Sequence, residues 1–187
     1  RALARLASEG MIERRHGSGT YATLQGTVKA KAAAVTDAGV LLSDLRAMSR
    51  STTARILQHA VIATPPRILA ACPELGSRVL LLQRARTQRG RPLAVMSHYI
   101  PERLAPRFSK ARLKSQPTTW VFEKAGLVPS VASQQITAIA ADHVLSRELG
   151  VSIGAPILSI RRAVRDSKGA LLEYHEVFYD PESISVQ

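Results

Sequence analysis

Two short turns constrain this chain more than anything else in it. Arg89-Gly90-Arg91 and Ser167-Lys168-Gly169 each separate two long runs rich in β-branched and apolar residues, at 78–88 and 91–100 and at 156–165 and 171–179. A glycine between two strand-forming runs is the sequence form of a hairpin, because it accepts the positive φ that closes the turn. Two further runs, at 54–63 and 129–140, read as strands, and 65–71, 101–108, 117–125 and 142–149 read as helices. Asp142 is placed to cap the last helix and Gly150 to stop it. The expectation is an α+β fold, an antiparallel sheet with helices on one side. The hairpins also resemble each other. Arg84-Ala85 leads to Gly90 and then to His98-Tyr99, while Arg162-Ala163 leads to Gly169 and then to Tyr174-His175, so a pseudo-symmetric sheet is one reading and chance likeness of two hairpins the other.

With 187 residues and 45% hydrophobic content, the chain can hold one domain with its own core plus part of another. Its 26 Lys and Arg against 14 Asp and Glu give a formal charge of +12, which favours a polyanionic partner. Cys72 stands alone, so a disulfide or cysteine-based metal site is excluded within the chain, and a reducing compartment fits. No apolar run approaches the roughly 20 residues of a membrane span and no signal peptide is visible. A cytoplasmic protein with no membrane partner is expected. Arg1 falls within what reads as a helix, so sequence upstream is expected too.

The segment ALARLASEGMIERRHGSGTYAT reads as a helix end at 1–9, a stop at Gly10, and a small hairpin whose tip is His16-Gly17-Ser18-Gly19. It resembles the end of the winged helix-turn-helix of GntR-family bacterial regulators. Ala2, Leu3, Leu6, Glu9, Gly10, Ile12, Gly17, Gly19 and Thr20 fall on that pattern. The resemblance implies operator DNA as partner, contacted by Arg1, Arg14, Arg15, His16, Gly17, Ser18, Gly19 and Thr20. A glycine-rich tip lets backbone approach phosphates closely, and arginines beside it supply donors. Residues 1–23 are thus the expected DNA-binding remnant and 24–52, rich in Ala, Lys and Ser, a linker.

Residues 53–187 resemble the UTRA effector-binding domain of the HutC subfamily, whose fold is that of chorismate lyase. The carriers of the likeness are Arg84-Ala85-Arg86, Gly90-Arg91-Pro92, Tyr99-Ile100-Pro101, Gln135-Ile136-Thr137-Ala138, Leu149-Gly150-Val151 with Gly154-Ala155-Pro156, Arg162, Asp166, Gly169 and Glu173-Tyr174. Independently of it, Arg84 and Arg86 are two apart on one strand and share a face, where two guanidinium groups can grip an anion. Glu173, expected on a neighbouring strand, would accept ligand hydroxyls or fix an arginine. The resemblance adds Thr118 and Thr119 at a helix start to this effector site. An exposed, ion-paired strand face is the competing reading. Met96 stands where many relatives carry a glutamate, which points to a more apolar pocket.

The five histidines show no metal spacing, and His98 and His175 read as ordinary partly buried side chains. Neither a nucleophile–base pair nor a phosphate loop is recognisable, so no catalytic residue, metal or cofactor is assigned. The expectation is a ligand-responsive DNA-binding regulator, a repressor, homodimeric through its C-terminal domain and controlled by a small anionic metabolite. The alternatives are a chorismate lyase-like enzyme acting on a small carboxylate, and a basic nucleic-acid packaging module. The second fits poorly with 4% aromatic residues.

Overall fold

A computed structural model of the chain describes residues 12–15, 19–22, 34–37, 52–113 and 116–183. The expected helix at 1–9 and the tip residues His16, Gly17 and Ser18 lie outside the described residues, as does Arg1. Strands β1 (Ile12–Arg15) and β2 (Gly19–Ala22) pair antiparallel, with Arg14 opposite Thr20 and Arg15 opposite Gly19. The backbone of the expected hairpin is therefore present, with the glycine-rich tip between its strands.

A seven-stranded antiparallel sheet follows. Its strands are β3 (Ala34–Asp37), β4 (Thr53–Ala63), β5 (Arg78–Gln88), β6 (Arg91–Pro101), β7 (Pro129–Ala140), β8 (Pro156–Asp166) and β9 (Leu171–Tyr179). They lie side by side in the order β3-β7-β8-β9-β6-β5-β4. The β3 strand falls inside the segment read as a linker. Its four residues pair with the outer edge of β7, from Ala34 opposite Gln134 to Asp37 opposite Val131. So short a run has no period to read, and only the partner strand defines it.

The two hairpins, β5–β6 and β8–β9, are joined through their second strands, β6 against β9. Their turns differ. Arg89 and Gly90 both have positive φ, 51° and 78°, which makes a two-residue loop that matches the twist of its strands. The second loop is longer. Asp166 Oδ1 accepts from the amides of Lys168 and Ala170, both at 2.9 Å, and Gly169 takes φ 81°.

Among the described residues, four helices pack on this sheet: α1 (Pro66–Ala71), α2 (Lys110–Leu113), α3 (Thr118–Lys124) and α4 (His143–Leu149). Proline in the first turn of α1 gives up an amide that has no partner there. Asp142 caps α4 by accepting from the Leu145 amide at 2.8 Å, and Gly150 ends it in the left-handed region at φ 72°. The stretch read as a helix at 101–108 is instead a 3-10 segment, Glu102–Arg107, because Pro106 inside it has no amide to donate.

Helices cover both faces rather than one. Alternation along β5 sends Val79 and Leu81 to one face, where Ile68 of α1 packs on them with Tyr99 and Tyr174. On that face at the other end, Leu145 and Leu149 of α4 pack on Val95 and Ile157. Leu80 and Leu82 point the opposite way, into a cluster with Ile100, Phe108, Leu113 of α2, and Val121 and Phe122 of α3. Each large apolar side chain buried in these layers contributes about 1.5 to 3 kcal/mol. Continuing the same alternation, Arg84 and Arg86 follow Leu80 and Leu82 onto the α3 face.

Candidate functional site

The polar residues of the α3 face are buried, and this bears on the exposed, ion-paired reading of Arg84 and Arg86. Arg84 is 2% exposed and Arg86 6%, so neither belongs to a solvated, ion-paired strand face. Burial lowers the Arg84 guanidinium to about 10, and the charge of Arg86 beside it works the same way. Burial likewise lowers Arg86 and Arg162. At neutral pH all three remain cations.

Glu173 sits two strands from Arg84, not on the adjacent strand as expected, since β6 runs between β5 and β9. His98 on β6 closes the gap. A guanidinium has only donors, so the 3.0 Å contact from Arg84 to His98 Nε2 makes that nitrogen an acceptor. Nδ1 of His98 then carries the proton and donates to Glu173 Oε2 at 3.0 Å. The other carboxylate oxygen lies 3.3 Å from Nδ1 of His175. The two imidazoles, directly opposite each other on β6 and β9, meet edge to face at 5.5 Å.

The electrostatics agree with this tautomer. Burial, with Arg84 close by, pushes His98 down to about 4, so it is neutral. Burial also opposes the charge on Glu173, but the two imidazoles outweigh it and hold the carboxyl well below its usual range. Arg162 shares the face, opposite His175, with its Nε and one terminal nitrogen on Gln134 Oε1 at 3.3 and 2.8 Å. Two atoms of this network, Arg84 Nε and His175 Nε2, are buried without a hydrogen-bond partner among the described residues. This face therefore holds three cations and one anion, with the Arg84 Nε–H as a donor to spare.

His98, Glu173 and His175 bring three metal-ligand types within 4.8 Å. A cation there would face the Arg84 guanidinium, which occupies His98 Nε2, and two further buried arginines. The net charge of the face suits an anion instead.

Along the same face the surface turns apolar. Ala94, Met96, Val177 and Tyr179 form one cluster, with Leu158 and Ile160 against it. Thr118 and Thr119 are both buried in the first turn of α3, whose Val121 and Phe122 anchor that helix to the sheet. A cleft of about 450 Å³ opens at the far end of β5, lined by Arg86 and Thr53 and, from the α4 side, by Arg55, Arg147 and Glu148.

His98, His175 and Arg162 were not read as site residues from sequence. His98 and His175 are fully buried members of the network, not ordinary partly buried side chains. Their matched places in two similar hairpins were the available signal. Tyr99 and Tyr174 are buried in the opposite face, as core residues.

A sheet face holding a buried charge network beside an apolar patch, under a short helix, defines a small-molecule-binding regulatory domain. Residues 47–185 match the UTRA domain, and the chain belongs to the UTRA-domain family. It is 24% identical over 180 residues to the HTH-type transcriptional repressor NagR of Bacillus subtilis, covering 95% of this chain and 72% of that one. The solved structure of YydK, a possible transcriptional regulator from the same organism, superposes over 100% of this chain and 79% of its own, at a TM-score of 0.68 and 18% identity. The ligand-binding domain of a putative GntR-family regulator from Bordetella bronchiseptica covers 73% of this chain and 91% of its own, at 0.64 and 21%. The chain is a ligand-responsive transcriptional regulator, not a packaging module.

Proposed function

We propose that this regulator binds operator DNA through the β1–β2 hairpin and the residues before it, and that a small anion held at Arg84 and Arg86 controls that binding. The observation carrying the proposal is the charge of the buried face. Three buried arginines face one carboxylate, and an anion would offset the excess while satisfying a donor that water does not reach. Met96 and its apolar neighbours would take the body of the ligand, so an anionic head on a partly apolar frame fits better than a polyhydroxylated one. Thr118 and Thr119 would supply hydroxyl donors from the α3 side. Two copies joined through the C-terminal domain would present two DNA-reading heads, and effector binding would shift the population of their arrangements.

Enzymatic turnover is not favoured. The network's only ionised acceptor, Glu173, is already hydrogen-bonded by two imidazoles, and no nucleophile adjoins it among the described residues. Thermal-shift screening against carboxylates, phosphates and phosphonates tests the proposal, because a ligand specific to the folded state raises Tm with concentration. An anion that raises Tm in the native chain and not in Arg84→Met supports the site. Equal shifts in both would move the binding elsewhere.

A further inference from the structure

Arg86 faces two ways. Its alternation along β5 puts it on the anion-binding face beside Arg84, yet its Nη1 donates to Thr52 Oγ1 at 2.6 Å. Thr52 is the residue immediately before β4, where the chain from the N-terminal segment enters the sheet. Ala54 pairs with Arg86 and Ile56 with Arg84, so Thr52 lies along the same edge on the side away from Arg84. The Arg86 guanidinium is thus drawn toward the start of β4. Like charge agrees with the direction: the Arg86 charge disfavours the ionised form of Arg84, and separation relieves this.

An anion reverses that preference. Bound between the two arginines it attracts both, and the pull on Arg86 is toward Arg84 and away from Thr52. Next to Thr52, the first strand residue is tied to β5 by a side-chain hydrogen bond, Thr53 Oγ1 to Thr87 Oγ1 at 2.7 Å. Edge strands with little holding them open first.

We propose that Arg86 is a latch between pocket and chain entry: without an anion it fastens Thr52 to β5, and anion binding releases it. The inference rests on the anion-binding reading of the pocket and adds the route by which occupancy reaches the N-terminal segment. Reciprocity follows, since an interaction that competes with the anion must weaken its binding.

Inorganic phosphate is a suitable probe, titrated calorimetrically into the full chain and into Thr52→Val and Thr52→Ser. Thr52→Val should bind phosphate about threefold to tenfold more tightly, the equivalent of one hydrogen bond, and Thr52→Ser like the native chain. Hydrogen exchange of amides 52–55, read by mass spectrometry, should accelerate at least threefold on adding phosphate to the native chain. In Thr52→Val it should be fast throughout and unresponsive, whereas a merely structural Thr52 would leave the response to phosphate intact. Phosphate binding with unaltered exchange in the native chain, or unaltered affinity in Thr52→Val, overturns the latch and leaves the pocket standing. Phosphate binding that is absent, or retained in Arg84→Met, overturns the pocket reading and the latch with it.

Discussion

His98 donates from Nδ1 to Oε2 of Glu173 across 3.0 Å, joining residues 75 apart in the chain, and the direction of that bond fixes a pH dependence. His98 is lowered from 6.5 to about 4 in the folded protein. Its neutral form is the folded one, so its contribution is complete above pH 6.5 and is lost as pH falls toward 4. Glu173 is lowered as well, so its contribution is present above the usual carboxylate range and is lost below it. The two add in the same direction. Urea unfolding should show stability falling by about 3 kcal/mol between pH 7 and pH 4 from His98 alone. His98→Asn should flatten the part of the curve above pH 4.5. A curve of unchanged slope in that variant would show that another group titrates there.

Removing either buried arginine should cost ligand affinity more than stability of the DNA-binding part. Arg86→Ala is expected to weaken binding of an anion found by thermal-shift screening about tenfold or more, as loss of one charge-assisted bond implies. Effector-free DNA binding should be nearly unchanged in Arg84→Ala, whereas in Arg86→Ala, which also loses the contact to Thr52, it should resemble that of the anion-bound protein. Calorimetric titration beside a DNA-binding assay checks both, and native affinity in the variant would exclude Arg86 from the pocket.

At the N-terminal hairpin, Arg14 and Arg15 stand on β1 opposite Thr20 and Gly19. Replacing both with Ala in the complete regulator should weaken operator binding and reduce its salt slope by about one for each phosphate no longer neutralised. A salt slope equal to that of the native protein would remove them from the interface.

The cap of α4 offers a test independent of any ligand. Asp142→Ala should destabilise the domain by about 1 kcal/mol, measured as a shift in the urea midpoint with unchanged m-value. Asp142→Asn, which keeps an accepting oxygen, should lose much less.

Self-association is expected through the C-terminal domain, and light scattering on the full chain at micromolar concentration should give twice the monomer mass. A monomer would require another way of coupling ligand to DNA.

The sheet was legible where residue chemistry is local. Gly90, Gly169, Asp142 and Gly150 act through their own backbone or the next turn, and the elements they bound lie where the sequence places them. The shared face of Arg84 and Arg86 was legible for the same reason, since period two is a property of one strand. What stayed hidden depends on neighbours far along the chain. The order of strands places His98 between Arg84 and Glu173, and no spacing within one segment reveals that. Burial of Arg162 and Arg84 likewise depends on the assembled sheet rather than on their own strands. β3 was missed because four residues at an edge carry almost no pattern of their own.

The seam between β6 and β9 has a kinetic consequence. Each hairpin closes over a short loop, but the seam brings together strands whose facing residues, His98 and His175, come from distant parts of the chain. Loop closure of that length is slow beside hairpin formation, so the two halves are expected to form first and the seam afterwards. Arg84 belongs to one half, Glu173 to the other, and their link through His98 spans the junction. The charge network is therefore complete only once this seam has closed, and binding of the proposed anion would report that closure in a refolding experiment.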